Sequence, residues 1–112
     1  MKKDDTVYLR HISDSINQIT DYVLATTYQG FLTNRMLQDA VVRQLEIIGE
    51  ASRNLSEDFQ KQHSEVPWSQ IIGMRNRIAH DYLNVDMEIV WDIIEHDLKL
   101  LEKQIGNILA ER

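Results

Sequence analysis

The chain has 112 residues, which favours one domain, and its 43% hydrophobic and 27% charged residues are ordinary for a soluble globular protein. It has no cysteine, which excludes a disulfide framework and thiolate zinc sites, and no apolar run of the ~20 residues that cross a bilayer. Its formal net charge of -6 opposes non-specific attraction to nucleic acid, so action on RNA or DNA requires a local cationic site or a partner. Because the polar N-terminus does not resemble a secretory signal, we expect a cytoplasmic protein. From the chain length we expect one domain over residues 1–112.

Apolar side chains recur every three or four residues along most of the chain, which predicts amphipathic helices. The segment Thr26–Phe31 contains Gly30 and is interpreted as a loop. Ser56 suits the cap of a short helix, Pro67 suits a first helical turn, and Asp86 suits the cap of the last helix. The predicted helices span about Asp5–Ala25, Thr33–Leu55, Ser56–Gln62, Pro67–His80 and Met87–Leu109.

Four main helices and one short helix, joined by brief loops and with no alternating strand pattern, predict an all-α fold: an antiparallel up-and-down helical bundle. Gly49 costs about 1 kcal/mol within the second helix relative to alanine, and is interpreted as a point of close helix packing. A bundle of this size leaves part of an apolar stripe uncovered, and a homodimer would cover it.

The stretch MRNRIAHDYL, residues 74–83, concentrates groups that bind phosphate and move protons. Arg75 and Arg77 carry planar forks of donors that suit a phosphodiester, and His80 exchanges protons near neutral pH. Asn76 can orient a neighbour or bind a phosphate oxygen, and Tyr82 adds a hydroxyl. On RNA such chemistry needs no metal, because the ribose 2′-hydroxyl is an internal nucleophile; a metal nuclease would need several convergent carboxylates.

Helical geometry limits how these groups meet. Asn76 stacks with His80 at a spacing of four, whereas Arg75 and His80 differ by roughly 140° on a straight helix. They converge only if the helix ends or distorts before His80, or if a second subunit supplies one of them. An ordinary structural explanation stays open, since basic residues are favoured near a helix C-terminus by the dipole.

Residues 75–82 have the form R-x4-H-x-Y, which resembles the signature of the HEPN superfamily, and in particular of the HepT-like toxins of HepT–MntA toxin–antitoxin modules. The segments QLEIIGEASRNLS (44–56), VPWSQIIGMRNRIAHDY (66–82) and VDMEIVWDII (85–94) resemble that family in the same order. The pattern alone is a weak signal, but with these segments the resemblance covers nearly the whole chain.

This resemblance implies a dimeric all-α ribonuclease that needs no metal and no cofactor of its own. Carried over by position, Arg75 would bind and stabilise the scissile phosphate, and His80 would act as general acid or base. Asn76 would support them, and Arg77, outside the strict pattern, is a further candidate RNA contact. Tyr82 matches the tyrosine that a cognate minimal nucleotidyltransferase, the MntA-like antitoxin, modifies with AMP from ATP. The added charge and bulk would repel RNA.

A second hypothesis is a non-catalytic helical module that docks a nucleotidyltransferase and is only its substrate. In that case Tyr82 matters and His80 does not. A plain helical dimerisation protein is the third possibility.

Overall fold

The computed structural model describes residues 4–79 and 85–112. Within those residues the secondary structure is helical, apart from one isolated antiparallel bridge between Ala79 and Val85. None of the described helices is long and apolar enough to span a membrane. The helices are α1 (Asp5–Val23), α2 (Tyr28–Leu32), α3 (Arg35–Arg53), α4 (Glu57–Gln62), α5 (Trp68–Ile72), α6 (Met74–Ile78), α7 (Met87–Asp92), a π-helical turn (Ile93–Asp97) and α8 (Leu98–Ala110).

Five of the described helices begin at a side chain that accepts hydrogen bonds from their first free amides. Asp4 caps α1, Thr27 caps α2, Asn34 caps α3, Ser56 caps α4 and Asp86 caps α7. Each cap satisfies amide donors that the helix itself leaves unpaired. The predicted caps Ser56 and Asp86 are confirmed.

The core lies where α1 packs along α3 and α8 packs against α1. Periodic apolar side chains of the three elements interlock there, and each fully buried one contributes about 1.5–3 kcal/mol through the hydrophobic effect. These buried side chains include Leu9, Ile12, Ile16, Ile19, Val41, Leu45, Ile48, Leu98, Leu101, Ile105 and Ile108.

The segment Thr26–Phe31, predicted to be a loop, instead contains most of the short helix α2. Thr27 accepts a hydrogen bond from the amide of Gly30 at 3.0 Å, and Phe31 is fully buried. Five residues are too few to produce a helical period, so Gly30 was wrongly taken as a breaker when its amide is the capped donor.

The last predicted helix is present over nearly its expected length, but a π-helical turn interrupts it. The wider turn lets Ile93 and Ile94, which are adjacent in the sequence, both be buried. Such turns are frequent at functional sites, and this one faces α6.

The segment Pro67–His80, predicted to be one helix, forms α5 and α6, which meet at Gly73. Helix α3 approaches this break closely, as the distance from Gly49 shows: a Cβ added there would lie 3.3 Å from the carbonyl oxygen of Ile71. The interpretation of Gly49 as a point of close packing is therefore confirmed. The break makes α6 a separate short helix held against the body of the protein.

Candidate functional site

Helix α6 carries three of the five residues that the sequence singled out. Met74 and Ile78 are buried and anchor the helix, with Ile78 only 1% exposed. Arg75, Asn76 and Arg77 are all exposed. Since Arg75 and Arg77 are two positions apart, they point in nearly opposite directions around the helix, about 200° apart.

Arg75 borders a cleft of about 160 Å³ between α3 and the α5–α6 pair. Exposed charged side chains of Glu46, Glu50 and Arg53 form the rest of its rim. The floor is apolar and is formed by Leu45, Gly49, Ile71, Ile72, Met74 and Ile78. The cleft therefore combines an aliphatic floor with a rim of mixed charge.

The guanidinium of Arg75 forms no ion pair with any carboxylate within residues 4–79 and 85–112. Glu50, on the same rim, lies 3.9 Å from the Nη1 atom of Arg53. The donor fork of Arg75 thus lies at the cleft without a direct ion pair to any described carboxylate, although Glu46 and Glu50 lie on the same rim. A phosphate group is a suitable partner for such a fork.

Arg77 lies on the other side of α6, next to α7 and the π-helical turn. Its Nη1 atom donates to a carboxylate oxygen of Asp97, and its Nη2 atom lies 3.9 Å from a carboxylate oxygen of Asp92. Asp92 also lies 3.0 Å from Nδ1 of His96. Arg77 therefore contacts Asp97 of the π-helical turn and lies near Asp92, the last residue of α7.

Helix α6 ends before His80. Ala79 has extended backbone angles, pairs with Val85 in the isolated bridge, and follows Ile78, whose carbonyl accepts from the amide of Asp86 at 2.7 Å. The 140° separation expected on a straight helix therefore does not apply to Arg75 and His80. The predicted site residues His80 and Tyr82 themselves lie outside the described residues.

A family model described as "Ribonuclease HepT-like" matches residues 12–108, which is most of the chain. The chain belongs to the HepT-like ribonuclease family. This confirms the predicted family resemblance and, at the level of the family, the prediction of a ribonuclease.

Several HepT-like relatives align with nearly all of this chain. A protein of Caldanaerobacter subterraneus subsp. tengcongensis named "Putative RNase TTE0752" is 40% identical over 104 residues, 93% of this chain and 93% of that protein. "Probable ribonuclease HepT" of Thermococcus cleftensis is 36% identical over 102 residues, 91% of this chain and 93% of that protein. No solved structure gives a significant match.

"Gamma-glutamylcyclotransferase and putative RNase MJ0434" of Methanocaldococcus jannaschii is 38% identical over 111 residues. The aligned region is 99% of this chain but 50% of that relative. This chain therefore spans about half the length of that protein.

The carboxylates at the rim of the cleft, Glu46 and Glu50, were not predicted from the sequence to be site residues. Glu46, Glu50 and Arg53 share one face of α3 because they are four and seven positions apart. That spacing also describes an ordinary solvated face, and only the packing of α6 against α3 shows that this face borders Arg75. Among the described residues, no group of three histidine or carboxylate side chains is placed to hold a metal ion.

Proposed function

We propose that this HepT-like chain is a ribonuclease toxin that cleaves RNA without a metal ion, using Arg75 and His80. The observation that carries this proposal is the exposed guanidinium of Arg75, which lacks a described ion-pair partner at the edge of a cleft in a chain of a ribonuclease family. His80 enters through its place in the R-x4-H-x-Y pattern. The end of α6 before His80 removes one geometric objection to the pair.

In this mechanism the ribose 2′-oxygen attacks the adjacent phosphorus, and the bond from phosphorus to the 5′-oxygen of the next nucleotide breaks. The proton leaves the 2′-hydroxyl as that oxygen attacks, and a proton is delivered to the departing 5′-oxygen. His80 accepts the first proton as general base or donates the second as general acid, and water completes the other transfer. Arg75 holds the non-bridging oxygens and stabilises the charge that develops on them, an effect that typically supplies the largest single contribution to rate. The products are a 2′,3′-cyclic phosphate and a 5′-hydroxyl.

The two remaining polar residues of α6 have supporting roles in the proposal. Asn76 follows Arg75, is exposed, and contacts RNA or orients a neighbour. For Arg77, the contacts with Asp92 and Asp97 favour a role in holding α6 against α7 and the π-helical turn over direct contact with RNA.

Regulation by a cognate minimal nucleotidyltransferase, an MntA-like antitoxin, completes the proposed toxin–antitoxin module in the cytoplasm. The hydroxyl of Tyr82 attacks the α-phosphate of ATP, pyrophosphate leaves, and the tyrosine loses its proton. The AMP group places negative charge and bulk two residues from His80. This charge would repel the RNA phosphate by the same physics as phosphorylation.

A homodimer is part of the same proposal. Three large apolar side chains are strongly exposed on the described surface: Leu24, Met36 and Leu100. Exposed side chains of this kind support association, although scattered ones are normal on monomers. Light scattering on purified protein gives the mass directly: a value of twice the 13.2 kDa chain supports the dimer, and the single-chain mass rejects it.

The test of the ribonuclease proposal is cleavage of a mixed-sequence RNA by purified, unmodified protein in EDTA. We expect cleavage by wild type, fragments ending in cyclic phosphate, and at least a ~100-fold loss in His80→Ala. His11→Ala is the matched control, because His11 is an exposed histidine on α1. Equal cleavage by wild type and His80→Ala would contradict the proposal.

The same protein preparations separate the alternative, in which the domain is a non-catalytic module modified by its partner. That alternative predicts AMP transfer to Tyr82 when the nucleotidyltransferase and ATP are supplied without EDTA, and no RNA cleavage by any preparation. The acidic net charge of -6 is the observation in its favour.

A further inference from the structure

We propose that the cleft between α3 and α6 is a nucleobase subsite that selects guanine next to the scissile phosphate. This inference rests on the proposed ribonuclease function and adds a base preference to it. The proposal rests on the apolar floor of the cleft, on the carboxylates of Glu46 and Glu50 at its rim, and on Arg75, which lines the cleft and is also the proposed phosphate ligand.

The size and lining of the cleft suit a flat ring. Its volume of about 160 Å³ is close to that of a ~150 Å³ apolar cavity that holds a benzene molecule. The floor is built from buried Leu45, Ile71, Met74 and Ile78, with Ile72 half-buried. Because Gly49 has no side chain, α3 can lie close to the last carbonyls of α5. The cleft is open to solvent, so a base edge can enter while its sugar stays outside.

The rim supplies acceptors on the side formed by α3. Glu46 and Glu50 are one helical turn apart on the face that borders the cleft, and both are exposed. Guanine carries two neighbouring donors, N1–H and the N2 amino group, which match the two oxygens of one carboxylate. Adenine and cytosine offer one amino group at that edge, and uracil offers one imino group. A carboxylate acceptor therefore ranks guanine first.

Arg75 connects this subsite to the proposed chemistry. It lines the same cleft and is the proposed phosphate ligand, so a nucleotide whose phosphate binds Arg75 has its base beside the floor. The rim of two carboxylates, Glu46 and Glu50, and two guanidiniums, Arg53 and Arg75, sums to no net charge. The carboxylates thus select a base without making the cleft negative overall.

The decisive experiment measures where a mixed-sequence RNA is cut by the full chain carrying Glu46→Gln or Glu50→Gln. Both changes keep the side-chain length and remove the anionic acceptor. We expect wild type to prefer sites next to guanine and at least one variant to lose that preference by about tenfold, with less effect at other sites. Replacing guanine by inosine, which lacks the N2 amino group, should lower wild-type cleavage and have little further effect in that variant.

Glu102→Gln is the matched control, because Glu102 is an exposed glutamate on α8, away from the cleft. It should cut like wild type. Unchanged positions and rates in both cleft variants, or equal cutting of wild type next to all four bases, would overturn the subsite while leaving the ribonuclease function intact.

A binding measurement decides the subsite even if no RNA is cleaved. Guanosine 3′-monophosphate and uridine 3′-monophosphate are titrated into protein with labelled isoleucine methyl groups. We expect the methyl signals of Ile72 and Ile78 to shift with the guanosine compound at lower concentration, and Glu50→Gln to weaken that response. Equal responses to the two nucleotides, or no response to either, would overturn the proposal.

Discussion

The two faces of α6 carry the same residue type, and each arginine borders a cleft, but only Arg77 has ion-pair partners among the described residues. Arg75 faces a cleft with an apolar floor and has no ion-pair partner among residues 4–79 and 85–112. Arg77, two positions later, is paired with Asp97 and lies near Asp92. Residue type therefore does not distinguish the two arginines; the neighbours that the fold places beside each face do.

The energetic weight of the Arg77 contacts is modest. Arg77 and Asp97 keep 42% and 44% of their side chains exposed, so solvent screens the pair and its contribution is about 0–1 kcal/mol. That is too small to hold the fold together. It is enough to bias the orientation of a five-residue helix whose remaining anchors are Met74 and Ile78.

The largest effect is expected at Ile78, the buried residue that anchors α6 and so supports both of its faces. Ile78→Ala removes a side chain that is 1% exposed and should lower the free energy of unfolding by about 2–5 kcal/mol. Urea denaturation measures this loss. Val7→Ala is the control, since Val7 is 47% exposed and should change stability by less than about 0.5 kcal/mol. A loss below about 1 kcal/mol for Ile78→Ala would mean that α6 is not anchored as described.

The next effect concerns the geometry of the cleft-facing guanidinium. Arg75→Lys keeps the positive charge but removes the planar fork, and should lower RNA cleavage by at least about tenfold with little change in stability. Single-turnover cleavage and thermal unfolding measure the two quantities separately. Wild-type cleavage by the lysine variant would show that charge alone is used.

A smaller effect is expected on the face of Arg77. Arg77→Asp places a carboxylate beside Asp97 and should lower cleavage by about fivefold, the equivalent of about 1 kcal/mol. The double variant Arg77→Asp with Asp97→Arg restores opposite charges and should recover most of the activity. If Arg77 instead contacts RNA, the double variant stays as impaired as the single one and its RNA binding stays weak.

The smallest effect is expected at the floor of the cleft. In Gly49→Ala the new methyl group would lie 3.3 Å from the carbonyl oxygen of Ile71, so α3 and α5 must separate slightly. The strain is partly offset by the ~1 kcal/mol that alanine gains over glycine in a helix, which leaves a net loss of about 1 kcal/mol or less. Thermal unfolding checks this value, and Gly106→Ala is the control because its Cβ would meet nothing within 4 Å. Equal stabilisation by both changes would contradict the close approach of α3 to α5.

The sequence predicted the long helices well because each buries a periodic apolar face, and local capping residues defined several ends. It failed at α2, which is too short for a period, and at Gly73, where one predicted helix is two. The π-helical turn was also missed, since it depends on packing that buries Ile93 and Ile94 together.

For the candidate site, the motif identified the segment but could not rank its two arginines. That ranking depends on Asp97, twenty positions away, and on the α3 face that carries Glu46 and Glu50. Only tertiary packing brings these groups to α6. His80 and Tyr82, which lie outside the described residues, stay predictions.

The most direct test compares Arg75→Ala with Arg77→Ala in single-turnover cleavage of one RNA in EDTA, after confirming that both variants fold. Loss of the cleft-facing guanidinium should lower the rate at least ~100-fold, because charge on the phosphate is no longer stabilised. Loss of the paired one should lower it by about fivefold or less. Equal losses, or a larger loss for Arg77→Ala, would contradict the assignment of the phosphate to Arg75.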